Sequence, residues 1–237
     1  METIDPFGWI QGQASPRTVL IVVNQPISQP ELFRAAWASC ENRAVLDGAA
    51  DMLRDFDDQL RPDFIIGDCD SITDATRDFY ISCDVPVIVR PSQYMTDFGK
   101  AMVESKQRWP DTQQFLAFNG LGGRVDHSMH SILCLGRSQR EHNVRLLLHS
   151  HQNMSFMVWE SAVVKTPRNV AGPACGIAPV YGQAHITTHG LMYDVENWET
   201  SFQTRVSTSN YLEADEIKIE TTAPVLVTVE IKQSDLN

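Results

Sequence analysis

Between Thr18 and His149, five short apolar runs alternate with amphipathic stretches, and this alternation constrains the fold more than any other feature of the chain. The runs are Val19-Leu20-Ile21-Val22-Val23, Phe64-Ile65-Ile66, Val87-Ile88-Val89, Phe115-Leu116-Ala117-Phe118 and Val144-Arg145-Leu146-Leu147-Leu148. A strand that is apolar on successive residues must be covered on both faces, as strands of parallel sheets are. The stretches between supply the cover. Helices are predicted from Asp47 to Phe56, from Thr96 to Trp109 with Thr96 as N-cap, and from about Arg124 to Arg140. Strand and helix in alternation predict an α/β fold with a doubly wound, mostly parallel sheet.

After about His151 the pattern changes. Segments such as Ala162–Thr166, His185–Thr188, Ile217–Glu220 and Val225–Ile231 are short and rich in Val, Ile and Thr, and several alternate apolar with polar residues. That is the signature of half-buried antiparallel strands. Two domains are therefore expected: an α/β domain over residues 1–150 and a small all-β sandwich over residues 151–237.

The net charge of −11 argues against binding a nucleic acid, whose phosphates require Lys and Arg. An anionic ligand would need local basic groups or a metal ion. The N-terminus carries no basic region followed by an apolar run, and no apolar stretch approaches the ~20 residues that span a membrane. Five cysteines, an odd number with no CxxC spacing, fit a reducing, cytoplasmic setting better than a disulfide framework or a zinc site. His127 and His130 share a helix face, but His at this spacing is more often packed or solvated than a metal ligand.

Four polar stretches follow the predicted strands. In Gly67-Asp68-Cys69-Asp70-Ser71, a strand runs into two carboxylates two residues apart, which alternation would turn to the same side and toward one cation. Ligands of open α/β sheets bind beyond the carboxyl ends of the strands, and Mg²⁺ takes carboxylate and phosphate oxygens. In Gln93-Tyr94-Met95-Thr96-Asp97-Phe98-Gly99-Lys100, Asp97 and Lys100 fall on one face of a helix start. Asn119-Gly120-Leu121-Gly122-Gly123-Arg124-Val125-Asp126-His127 joins a strand to a helix, so glycine backbone, a helix N-terminus and the Arg124 guanidinium all suit a phosphate. Asp126 would either join a metal site or orient Arg124. Asp47-Gly48-Ala49-Ala50 sits where an apolar run meets a helix, and Asn24 follows the first run.

These motifs, in order, resemble the thiamine pyrophosphokinase family. The resemblance rests on Asp47-Gly48, on Gly67-Asp68-Cys69-Asp70-Ser71-Ile72, on Gln93 with Thr96-Asp97-Phe98 and Lys100, and on Gly122-Gly123-Arg124-Val125-Asp126-His127. It continues through Cys175–Val180, Thr187–Leu191 and Val206–Asn210, covering about residues 19–231. The chain departs from the pattern at Tyr94, where an acidic residue is common, and at Ala49 and Asp51 in the Asp-Gly turn.

The resemblance implies Mg²⁺-dependent transfer of pyrophosphate from the co-substrate ATP to thiamine, giving AMP and thiamine diphosphate, by a homodimer with shared active sites. It implies catalytic roles for Asp68, Asp70, Asp97, Lys100 and Arg124, with the metal on Asp68, Asp70 and Asp97. Asp97 would alternatively accept a hydrogen bond from the thiamine hydroxyl. Binding roles fall to Asn24, Asp47, Gly48, Gly67, Ser71, Gln93, Thr96, Gly122, Gly123, Asp126 and His127 on the nucleotide side. Ser207, Ser209, Asn210 and Tyr211 would form a loop on the thiamine side, with Tyr211 stacking on a cationic aromatic ring. Alternatives are a related transferase with another acceptor alcohol and a non-enzymatic nucleotide or thiamine sensor.

Overall fold

The computed structural model describes residues 1–13 and 17–232, which form two compact units. Strand β1 (Glu2–Ile4) groups with the C-terminal unit and is taken up with it.

The first unit, residues 17–151, runs β2 (Thr18–Val22), α1 (Pro30–Ser39), β3 (Asn42–Leu46), α2 (Ala49–Phe56), β4 (Phe64–Gly67), α3 (Asp74–Ser82), β5 (Val87–Val89), α4 (Asp97–Arg108), β6 (Gln114–Phe118), α5 (Val125–His142) and β7 (Arg145–His149). Its strands lie side by side in the order β7-β6-β2-β3-β4-β5, each neighbouring pair parallel. From β2 the chain steps outward through β3, β4 and β5, then returns so that β6 lands on the other side of β2. This is the doubly wound order. All five residues of β2 and of β6 are buried, as their uninterrupted apolar runs require.

Strand β3 is the short apolar run before Asp47: it opens on Asn42-Arg43 and offers only Ala44-Val45-Leu46 as apolar residues. It is nonetheless a central strand, paired to β2 and β4. The Thr96 cap does form: its Oγ1 accepts from the Gly99 N–H at 3.3 Å.

The second unit contains residues 1–13 and 152–232 and continues as β8 (Asn153–Val158), β9 (Ser161–Lys165), β10 (Ala171–Ala178), β11 (Ala184–His189), β12 (Trp198–Thr200), β13 (Ser207–Tyr211), β14 (Glu216–Thr221) and β15 (Val225–Ile231). One sheet has the order β1-β9-β14-β11-β12, and a second set pairs as β13-β10-β15-β8. Strand β15 buries every second residue, the pattern its sequence alternation calls for.

The N-terminal residues depart from the expected domain division. Glu2–Ile4 adds a parallel edge strand to β9, and Ile4, Phe7 and Trp9 are buried in this unit. A three-residue strand pairing with a partner some 160 positions away leaves no local period to detect.

Candidate functional site

The loop after β4 turns at the sheet's carboxyl edge. The strand ends at Gly67, and Cys69 adopts a left-handed conformation with φ of 65°. Side-chain alternation therefore stops between the two carboxylates of this loop. Asp68 turns toward the cavity, whereas Asp70 is exposed and accepts a hydrogen bond from Ser71 Oγ at 2.8 Å. Asp70 stays outside the cavity lining but keeps a side-chain contact with Asp68.

Asp68 also converges with Asp47 and Asp97, and one carboxylate oxygen from each of these three lies within 4.8 Å of the others. Gly67 permits this approach. A Cβ there would sit 2.6 Å from Asp47 Cβ and 3.3 Å from Asp97 Cγ, so any side chain would push the two acids away. Asp47, which follows β3, is buried and accepts from the backbone N–H groups of Ser71 at 3.2 Å and Ile72 at 3.1 Å. Burial raises its pKa; the two N–H groups oppose the rise, and the charges of Asp97 and Asp70 add to it. Asp68 is shifted the other way, chiefly because Gln93 Nε2 donates to its Oδ2 at 2.9 Å.

Asp97 opens α4, and Lys100 Nζ donates to its Oδ1 at 2.8 Å. Lys100 is the one Lys or Arg among the described residues lining the cavity, which has a volume of about 350 Å³. Asn24, Ser71, Thr96 and His127 also line it. Gly48 lets α2 start against Asn24, whose Nδ2 would lie 2.6 Å from a Cβ at that position.

His130, expected to be packed or solvated, lines the same cavity. Its Nε2 is 2.7 Å from Thr96 Oγ1. Burial, aided by Arg137 and His127, holds its pKa below the usual value. The available signal was its position three residues after His127 on the first turns of a helix.

Other residues stand outside the cavity lining. Arg124 is exposed, and its Nε and Nη2 donate to the two oxygens of Asp126 at 3.1 and 2.6 Å. Asp126 thus orients Arg124 and is not part of the acid trio. Gly122 and Gly123 have positive φ, and the Gln25 side chain lies within 2.5 Å of where a Gly123 Cβ would be. Asp51, a departure from the family pattern, accepts from the N–H and hydroxyl of Thr73 and so ties α2 to the start of α3.

In the second unit, residues 207–211 form a strand paired to β10 rather than the expected loop. Asn210 is buried, and its amide is spent on Tyr193 and on the N–H of Tyr211, which makes it a structural clamp. Ser209, with φ of 56°, and Tyr211 remain exposed.

Residues 33–148 match the family model described as thiamin pyrophosphokinase, catalytic domain, and residues 161–226 match that of the vitamin B1 binding domain of the same family. Thiamine pyrophosphokinase 1 of Arabidopsis thaliana is 29% identical over 93% of this chain and 89% of its own. The thiamine pyrophosphokinase of Saccharomyces cerevisiae is 28% identical, with 90% and 85% covered. The crystal structure of yeast thiamin pyrophosphokinase superposes with a TM-score of 0.90 at 25% identity, covering 98% of this chain and 91% of that one. The Candida albicans structure gives 0.86 at 22% identity over 98% and 93%, a likeness of fold.

Proposed function

The chain belongs to the thiamin pyrophosphokinase family, and from that premise we propose that the cavity bounded by Asp47, Asp68, Asp97 and Lys100 is where it transfers pyrophosphate from ATP to thiamine. The observation that carries this assignment is the meeting of three carboxylates and one buried lysine at the carboxyl edge of a doubly wound sheet. All four lie inside the segment that matches the family's catalytic domain.

The donor set fits a divalent cation such as Mg²⁺. All three groups are hard oxygen donors, and with one lysine among them they leave excess negative charge. Asp47, Asp68 and Asp97 would hold the ion, which when bound offsets negative charge on the phosphate oxygens. Asp70, exposed in the same loop, adds to the acidic field, consistent with its effect on Asp47. The place of Asp97 in the trio favours its metal-side role over that of a partner to the thiamine hydroxyl.

The reaction joins the thiamine hydroxyl oxygen to the β-phosphorus of ATP and breaks the bridge to the α-phosphate, so AMP leaves. The protein's work is mainly to place and neutralise these groups. Lys100, fixed by Asp97, supplies positive charge to the phosphates. Arg124, braced by Asp126, keeps other N–H groups for phosphate oxygens. Gln93 holds Asp68, while Asn24, Gly48, Ser71, Thr96 and His127 shape the nucleotide side, and Gly122 and Gly123 let backbone approach the ligand. Ser207, Ser209 and Tyr211 serve the thiamine side.

A homodimer is the proposed assembly. Its support includes Val125, Met129 and Leu133, exposed at intervals of four along α5. Among the described residues no helix is long and apolar enough to cross a membrane, and the cytoplasm is the proposed location. Incubation with ATP, Mg²⁺ and thiamine tests the function: AMP must accumulate only when thiamine is present. Nucleotide turnover indifferent to thiamine would refute it.

A further inference from the structure

Helix α5 starts at Val125, so His127 and His130 lie one turn apart and both reach the cavity. His130 has a second set of contacts. Its Nε2 lies 2.7 Å from Thr96 Oγ1 and 3.3 Å from Cys134 Sγ, one turn further along its own helix. Cys134 is buried and its thiol pKa is pushed up to about 12, so it meets the imidazole as a neutral S–H.

Thr96 is the N-cap of α4, and its hydroxyl accepts from Gly99 N–H at 3.3 Å, toward the long end of the range for such a bond. A threonine hydroxyl rotates freely unless a second partner fixes it. His130 supplies that partner in either tautomer: a bare Nε2 accepts the hydroxyl proton, and an Nε2–H donates to the hydroxyl oxygen. The next residue after the cap is Asp97 of the acid trio, and one turn later comes Lys100. Helices α4 and α5 pack directly against each other, so a link from one to the cap of the other fixes the start of α4 relative to the cavity wall.

We propose that His130 is a positioning residue: through the Thr96 hydroxyl it holds the first turn of α4 so that Asp97 and Lys100 face the substrate phosphates. This rests on the functional assignment of the cavity and extends it to a residue that acts through the Thr96 hydroxyl. Losing such a link displaces the acid and the lysine together. A shift of this kind lowers turnover much more than it weakens substrate capture.

The test compares the wild type with His130→Ala, His130→Gln, Thr96→Ala and the Thr96→Ala/His130→Ala double variant. Readouts are kcat, KM for ATP and thiamine, the melting temperature, and the Mg²⁺ concentration at half-maximal thermal stabilisation. His130→Ala should lower kcat roughly ten- to a hundredfold, leave the thiamine KM within about twofold and raise the Mg²⁺ midpoint. Glutamine places an amide nitrogen near the Nε2 position, so His130→Gln should recover most of both losses. The double variant should be no worse than Thr96→Ala alone, because both changes cut one link. Wild-type kcat and Mg²⁺ midpoint in His130→Ala, equal losses in the Ala and Gln variants, or additive losses in the double variant would each overturn the proposal. Failure of the functional assignment is distinct: the wild type would then form no thiamine-dependent AMP, and the Mg²⁺ midpoints would still decide whether His130 positions Asp97.

Discussion

Lys100 Nζ sits 2.8 Å from Asp97 Oδ1 on the first turn of α4, with the lysine buried and 28% of the aspartate side chain exposed. The pair keeps a positive charge inside an acidic cavity, so removing the lysine leaves three carboxylates facing one another. In Lys100→Met, stability without metal should fall by on the order of 2 kcal/mol, less than for a fully buried pair because Asp97 is partly solvated. Mg²⁺ should restore a larger part of the melting temperature in the variant than it adds to the wild type. Turnover should fall by orders of magnitude even at saturating Mg²⁺. Melting curves with Mg²⁺ and with EDTA, beside steady-state rates, check all three.

Asp47 has two tasks, and two substitutions separate them. Its carboxylate anchors the 68–72 loop through Ser71 and Ile72 N–H and also faces Asp68 and Asp97. Asp47→Asn keeps one acceptor for the loop and loses the charge. With one loop N–H left facing an amide NH2, it should melt between Asp47→Ala and the wild type, and it should lose about a hundredfold or more in kcat. Asp47→Ala loses both, leaving buried N–H groups unpaired at a cost of about 1–3 kcal/mol. Equal melting temperatures for the two variants would contradict the anchoring role.

Much of the fold was legible because its signals are local. The apolar runs at Val19–Val23 and Phe115–Phe118 require burial on both faces wherever they occur, and the Thr96 cap is settled by the three residues after it. The acid trio was only partly legible. Asp68 and Asp97 stood out in their motifs, but Asp47 joins them only through the pairing of β3 beside β4, which brings positions 21 and 50 residues apart to one point. Asp70 lies outside the cavity lining while still meeting Asp68, because the i, i+2 rule holds only while the chain stays extended and Cys69 breaks it with a positive φ. The place of β1 depends on a pairing with β9 that no local pattern encodes.

Tyr211 lies on β13, and 40% of it is exposed, so its ring contributes little to the core. Tyr211→Ala should leave the melting temperature nearly unchanged. If the ring stacks on thiamine, a contact worth ~0.5–2 kcal/mol, the thiamine KM rises several-fold and the ATP KM stays constant. An unchanged thiamine KM would remove Tyr211 from the acceptor site.

His149 gives the fold a specific acid sensitivity. It is buried, stacks on Phe118 with ring centroids 4.1 Å apart, and accepts from Asn119 N–H at its Nδ1. Burial, with a smaller effect from His151, pushes its pKa from the usual 6.5 down to about 3. The unfolded chain therefore takes up a proton below 6.5 that the folded chain refuses until about 3. This contribution is fully present above the unfolded value and is lost as pH falls through the window, at up to about 1.4 kcal/mol per pH unit. Unfolding free energies at pH 7 and 5 should show a steeper acid loss in the wild type than in His149→Phe. Equal slopes would mean that His149 is charged in the folded protein.

The most direct test follows the label in ATP. With thiamine, Mg²⁺ and ATP labelled at the α-, β- or γ-phosphorus in separate reactions, the β and γ labels should appear together in thiamine diphosphate. The α label should remain in AMP, with one AMP formed per thiamine diphosphate, and Asp68→Asn should abolish all transfer. Recovery of the γ label alone in a thiamine monophosphate, with ADP as the other product, would contradict attack at the β-phosphorus.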